Sequence, residues 1–77
     1  MKRNNVRHYH SYKILGNNIR SIRESKKISQ EELAFMISSS RNYIGCIERA
    51  EKYPSLAIIL DIAKALDVKV QDLVDKL

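Results

Sequence analysis

The chain of 77 residues has a single cysteine, Cys46, so an internal disulfide framework is excluded. It has no apolar run of about 18 residues and no apolar segment behind the N-terminal charges, which argues against membrane insertion and secretion and for a reducing cytoplasm. Acidic residues are missing from positions 1–13, which carry Lys2, Arg3, Arg7 and Lys13. Residues 14–77 hold ten basic and nine acidic side chains, so the formal net charge of +5 resides mostly in a basic N-terminal arm. Repeats and low-complexity tracts are absent, and the β-branched residues show no period-two alternation, so no strand is predicted. There is no glycine-rich phosphate loop and no cluster of His, Cys, Asp and Glu on one face. A chain this short leaves little volume for a pocket beside its core, so enzymatic function and a cofactor are not expected. His8, His10 and Cys46 would need to converge with a fourth ligand to hold zinc, and no metal site is assigned.

What is present is helical periodicity. Leu15, Ile19 and Ile22 predict a first helix over roughly Ile14 to Lys26, ended by the basic pair Lys26-Lys27. Ser29 and Glu32 form the signature of a capping box at the start of a second helix, whose apolar face is Leu33, Ala34 and Ile37. Ser38-Ser39-Ser40 breaks the pattern, and Ser40 is placed to cap a third helix over Arg41 to Arg49. Ile44 and Ile47 continue its apolar stripe, leaving Arg41, Asn42, Gly45 and Cys46 on the outward face. Pro54 marks a loop after Ala50. Ser55 then caps a fourth helix carrying Leu56, Ile59, Leu60, Ile62, Ala63 and Leu66, and a last helix from about Val70 adds Leu73, Val74 and Leu77. The fold class is all-α. Residues 14–77 are expected to form the folded domain, and residues 1–13 are either a solvated tail or an arm that follows a groove of DNA. Tyr9 and Tyr12 admit a third account, in which residues 9–13 form a lead-in turn of the first helix.

Two short helices with so tight a connection form a helix-turn-helix, which places its second helix in the DNA major groove. The chain resembles the Cro and phage-repressor type of this motif, the Xre-like family. The resemblance runs from Leu15 to Leu73 through Ile28-Ser29-Gln30-Glu31-Glu32-Leu33-Ala34, Arg41-Asn42-Tyr43-Ile44, Ile47-Glu48-Arg49, Pro54-Ser55-Leu56 and Ile62-Ala63-Lys64-Ala65-Leu66. It implies a compact five-helix bundle that binds operator DNA as a homodimer and regulates transcription. Stand-alone members include restriction–modification controllers, which the Arg41-Asn42-Tyr43-Ile44 run most resembles. They also include phage repressors and antitoxins, and an antitoxin retaining its DNA-binding motif is the competing reading. No membrane partner or small-molecule effector is expected.

Arg41 and Asn42 are the residue types suited to guanine and adenine edges, and Cys46, one turn on, is placed to meet a thymine methyl. Gln30, Tyr43, Arg49 and Lys52 are assigned to phosphates, Gln30 because it opens a helix whose first N–H groups are unpaired. The resemblance makes Arg23 and Glu48 a partly buried ion pair that sets how the third helix leans on the scaffold. The apolar excess of the last two helices, chiefly Ile58, Val74 and Leu77, is the candidate dimer interface. Relative to the family, Ser38, Ala50 and Asp67 replace glycines that ease left-handed backbone, and Ser39 replaces an apolar plug of the turn. Shifted or strained turns are therefore expected, without loss of any DNA-facing group.

Overall fold

The computed structural model describes residues 7–77. They contain five helices and no strand: α1 (Tyr9–Ser25), α2 (Gln30–Met36), α3 (Arg41–Glu48), α4 (Leu56–Leu66) and α5 (Val70–Leu73). No helix among the described residues is long and apolar enough to cross a membrane. Every helix contributes to one core: Leu15 and Ile19 from α1, Leu33 and Ala34 from α2, Ile44 and Ile47 from α3, Ile62, Ala63 and Leu66 from α4, and Leu73 from α5. Burying that face against its neighbours is what stabilises helices as short as α2 and α3, since isolated helices of this length are marginal in water.

The serine caps form as the sequence predicts. Ser29 Oγ accepts from the Glu32 N–H, while the Ser29 N–H donates to Glu32 Oε1 at 2.7 Å, closing the capping box. That bond holds the Glu32 carboxyl below the usual carboxylate range. Ser40 accepts from Tyr43 N–H and Ser55 from Ile58 N–H at the starts of α3 and α4. At the other end of the bundle the Asn18 amide donates to the carbonyls of Leu73 and Asp75, both at 2.9 Å, satisfying the end of α5 from α1.

The helix bounds differ from expectation at both chain ends. α1 begins at Tyr9 rather than near Ile14, because Tyr12 packs against the core with its ring centroid 4.6 Å from that of Tyr53, the rings tilted by 45°, and Ser11 Oγ donates to the Leu77 carbonyl. Residues 9–13 thus form the lead-in turn, which takes Lys13 out of the arm. Lys2 and Arg3 lie outside the described residues. α5 ends at Leu73, so Val74 and Leu77 stand in the turn that follows rather than within the helix.

The turns are held without glycine. After α1, α2, α3 and α4 the residues Lys27, Ser38, Ala50 and Asp67 adopt φ of 60°, 56°, 59° and 57°. Each turn is a Schellman motif. The N–H groups of Ile28, Ser39, Glu51 and Val68 bond back to the carbonyls of Arg23, Ala34, Cys46 and Ala63 at 3.1, 2.8, 2.7 and 3.0 Å. The expected departures at Ser38, Ala50 and Asp67 are therefore real left-handed positions held by L-residues, and the turns are strained rather than displaced.

Both glycines instead lie inside helices. A Cβ on Gly16 in α1 would stand 2.5 Å from the Glu48 carbonyl oxygen and 2.6 Å from that of Ile47, so α1 and the end of α3 meet backbone to backbone. That contact sets where α3 lies.

Candidate nucleic-acid interface

α3 presents its first residues to solvent. Arg41 and Asn42 are exposed, and among the described residues neither side chain has an intramolecular hydrogen-bond or ion-pair partner. Their guanidinium and amide groups remain directional donors and acceptors that no other described residue engages. Together with Gln30, Gly45 and Arg49 they line a surface recess of about 260 Å³ between α2 and α3, so the turn brings Gln30, Arg41, Asn42 and Arg49 into one concavity, whereas Tyr43, Cys46 and Lys52 stand outside its lining.

The second turn of α3 corrects the sequence expectation. Gly45 is buried rather than open on the outward face, because the Arg49 side chain folds back over it. Helical side chains point toward the helix N-terminus, so a residue at the C-cap naturally covers the residue four positions earlier. A Cβ at Gly45 would lie 2.9 Å from Arg49 Nη1 and 3.7 Å from Cζ. Arg49 Nε and Nη2 donate to the two Glu51 carboxylate oxygens, each at 3.1 Å, and Nη2 lies 3.8 Å from Cys46 Sγ. The Glu51 carboxylate holds the Arg49 guanidinium more firmly protonated than usual. Cys46 is half-buried beside this pair.

Beneath the surface, Arg23 of α1 and Glu48 of α3 form the expected pair, with side chains 8% and 2% exposed. Arg23 Nε donates to Glu48 Oε2 at 2.7 Å and Nη2 to Oε1 at 3.1 Å, while Nη1 donates to the Ile28 carbonyl. The paired carboxylate raises the Arg23 pKa further, against the opposing effect of burial. Gln30 joins the same carboxylate, donating from Nε2 to Glu48 Oε1 at 3.0 Å. One buried glutamate thus fixes α1, α2 and α3 relative to one another. Gln30 is half-buried at the rim of the recess. The Gln30 link and the Arg49–Glu51 fork were not read from the sequence. An arginine four residues after a helical glycine is the one local signal that points to the latter.

Tyr43 is half-buried against the core beside the turn, and Lys52 is exposed in the loop after α3. On the far side Ile58 packs partly into the core, as do Ile59 and Val74, whereas Leu56, Leu60 and Leu77 are the leucines that face solvent. Ile58 is therefore core surface more than free apolar surface.

Residues 19–73 match the helix-turn-helix family HTH_3. The chain is 40% identical over 63 residues to the control protein C.SmaI of Serratia marcescens, covering 82% of this chain and 75% of that protein. Its fold superposes with a TM-score of 0.83 on the restriction–modification controller C.AhdI of Aeromonas hydrophila. Identity there is 38%, over 88% of this chain and 99% of that one. The P22 c2 repressor, solved in complex with a synthetic operator, superposes with a TM-score of 0.74 at 32% identity, covering 80% of this chain and 94% of the repressor chain in that structure. With this match in sequence and fold, and with the capped two-helix motif at its centre, the chain belongs to the Cro- and repressor-type helix-turn-helix family.

Proposed function

We propose that this protein is a cytoplasmic, sequence-specific DNA-binding transcriptional regulator of the restriction–modification controller type. It reads a palindromic operator as a homodimer, with α3 in the major groove. The observation that carries this reading is the pair Arg41 and Asn42 at the exposed start of α3, without a side-chain partner among the described residues, since arginine recognises guanine O6 and N7 and asparagine adenine N6 and N7. Cys46, half-buried on the next turn, supplies an apolar contact to a thymine methyl. Gln30, Tyr43 and Lys52 flank the helix and take phosphates, positioning α3 without reading sequence.

In-vitro selection from random duplexes, followed by footprinting, tests this directly. The expected outcome is an imperfect palindrome whose half-sites lie about one helical turn, roughly 34 Å, apart and are protected in the major groove. A bound pool without any common motif would reject sequence-specific recognition.

A further inference from the structure

The sequence alone assigns Arg49 to a phosphate, but its surroundings suit a different partner. A phosphate contact draws its strength from uncompensated positive charge, and here a carboxylate already sits on the guanidinium. Bringing a phosphate to Arg49 would also bring it to Glu51, a like-charge encounter. What the Glu51 fork leaves intact is direction. It occupies the side edge of the guanidinium, Nε with Nη2, and the two bonds at 3.1 Å fix the plane of the group. The end edge, Nη1 with the second hydrogen of Nη2, remains to donate, and among the described residues the acceptor beside it is the weakly accepting Cys46 sulfur, 3.8 Å from Nη2. This edge lies over Gly45, at the recess lined by Arg41 and Asn42, because the missing side chain leaves a notch in α3 that the Arg49 guanidinium covers.

We infer that Gly45, Arg49 and Glu51 form a third reading element of the recognition surface. Gly45 opens the notch, Arg49 presents its end edge to guanine O6 and N7 in the major groove, and Glu51 is the positioning residue that orients it. The inference rests on the DNA-binding reading and deepens it by naming one further base of each half-site.

The test uses the full chain with the selected operator and a random duplex, measuring affinity and its dependence on salt. Arg49→Lys keeps the charge and loses the planar edge, and it is expected to weaken operator binding about tenfold while random-duplex binding stays within about twofold. Repeating the selection with this variant should lose the preference for one guanine per half-site and keep the positions read by Arg41 and Asn42. Glu51→Gln should strengthen random-duplex binding and steepen the salt slope by roughly 0.9 for each charge it frees, while narrowing the gap between operator and random DNA. Gly45→Gln, which fills the notch, should reproduce the Arg49→Lys selection result with helical content retained. Unchanged operator affinity in Arg49→Lys would overturn the inference. So would an Arg49→Ala variant that loses equally on both duplexes with a shallower salt slope, which is the behaviour of a phosphate contact. If Arg41→Ala loses operator preference while Arg49→Lys does not, only this inference falls. If the wild type prefers no sequence at all, the DNA-reading proposal falls and this one with it.

Discussion

Glu48 is the residue on which the geometry of the interface turns, because its two oxygens accept from Arg23 and Gln30 on two other helices. Glu48→Ala leaves the buried Arg23 charge with only the exposed Glu24 carboxylate, 3.8 Å from Nη2, and losing the buried side of such a pair costs about 3–5 kcal/mol. The expected result in a thermal melt is a midpoint lower by about 10 °C or more, with operator binding failing as a consequence. A midpoint within a degree or two of wild type would show that the pair does not hold α3. Ser38 works in the opposite direction. Its φ of 56° is a conformation that costs an L-residue about 1–2 kcal/mol, against about 0.5–1 kcal/mol for the extra freedom a glycine loses on folding. Ser38→Gly should therefore stabilise the fold by roughly 0.5 kcal/mol, read as a rise of about 2–4 °C in the melting midpoint, without changing operator affinity. Ala50→Gly should gain less, because Ala50 is fully buried and its methyl packs in the core.

At the scale of the element, α3 is placed by the close approach of α1 at Gly16. A Cβ there meets backbone oxygens, which cannot swing aside as a side chain can. Gly16→Ala must push α3 away, and overpacking of this kind costs about 1–3 kcal/mol. The expectation is a lower melting midpoint together with reduced discrimination between operator and random duplex, measured at a temperature where the variant is fully folded. Unchanged discrimination would mean that the helix position tolerates the shift. Much of this architecture was legible in the sequence, because each of α2, α3 and α4 announces itself with a capping serine and an apolar stripe that ends at a break. The start of α1 was not. Tyr9-His10-Ser11-Tyr12 has no aliphatic residue to set a helical period, and its order comes from Tyr53 and Leu77, both distant in the chain. The recess was half legible. Arg41 and Asn42 could be assigned from residue type and helical phase. The burial of Gly45 under Arg49 depends on a side chain folding back along the helix, which periodicity does not encode.

For the whole molecule, one copy presents a single α3, enough for about 4–6 base pairs, so a unique operator requires two copies. For the homodimer proposed above, the candidate surface lies away from α3. Leu56 and Leu60, one turn apart on α4, are 66% and 48% exposed. Ile59, which neighbours Leu56 on the same helix, lines an apolar groove with Tyr12, Leu15, Val74 and Leu77. This shifts the weight of the proposed interface from Ile58 toward the leucines, since Ile58 serves the monomer core. Replacing Leu60 and Leu77 by lysine should yield a monomer by sedimentation, with helical content intact and operator affinity at least about tenfold weaker. A double variant that still sediments as a dimer would place the interface elsewhere. Whether α3 reads base edges through Arg41 and Asn42 is decided by the affinities of Arg41→Ala and Asn42→Ala for the selected operator and for a random duplex. The expected result is a loss of about 1–3 kcal/mol on the operator for each variant, with binding to random DNA and the melting midpoint unchanged. Equal losses on both duplexes, or no loss on the operator, would contradict it.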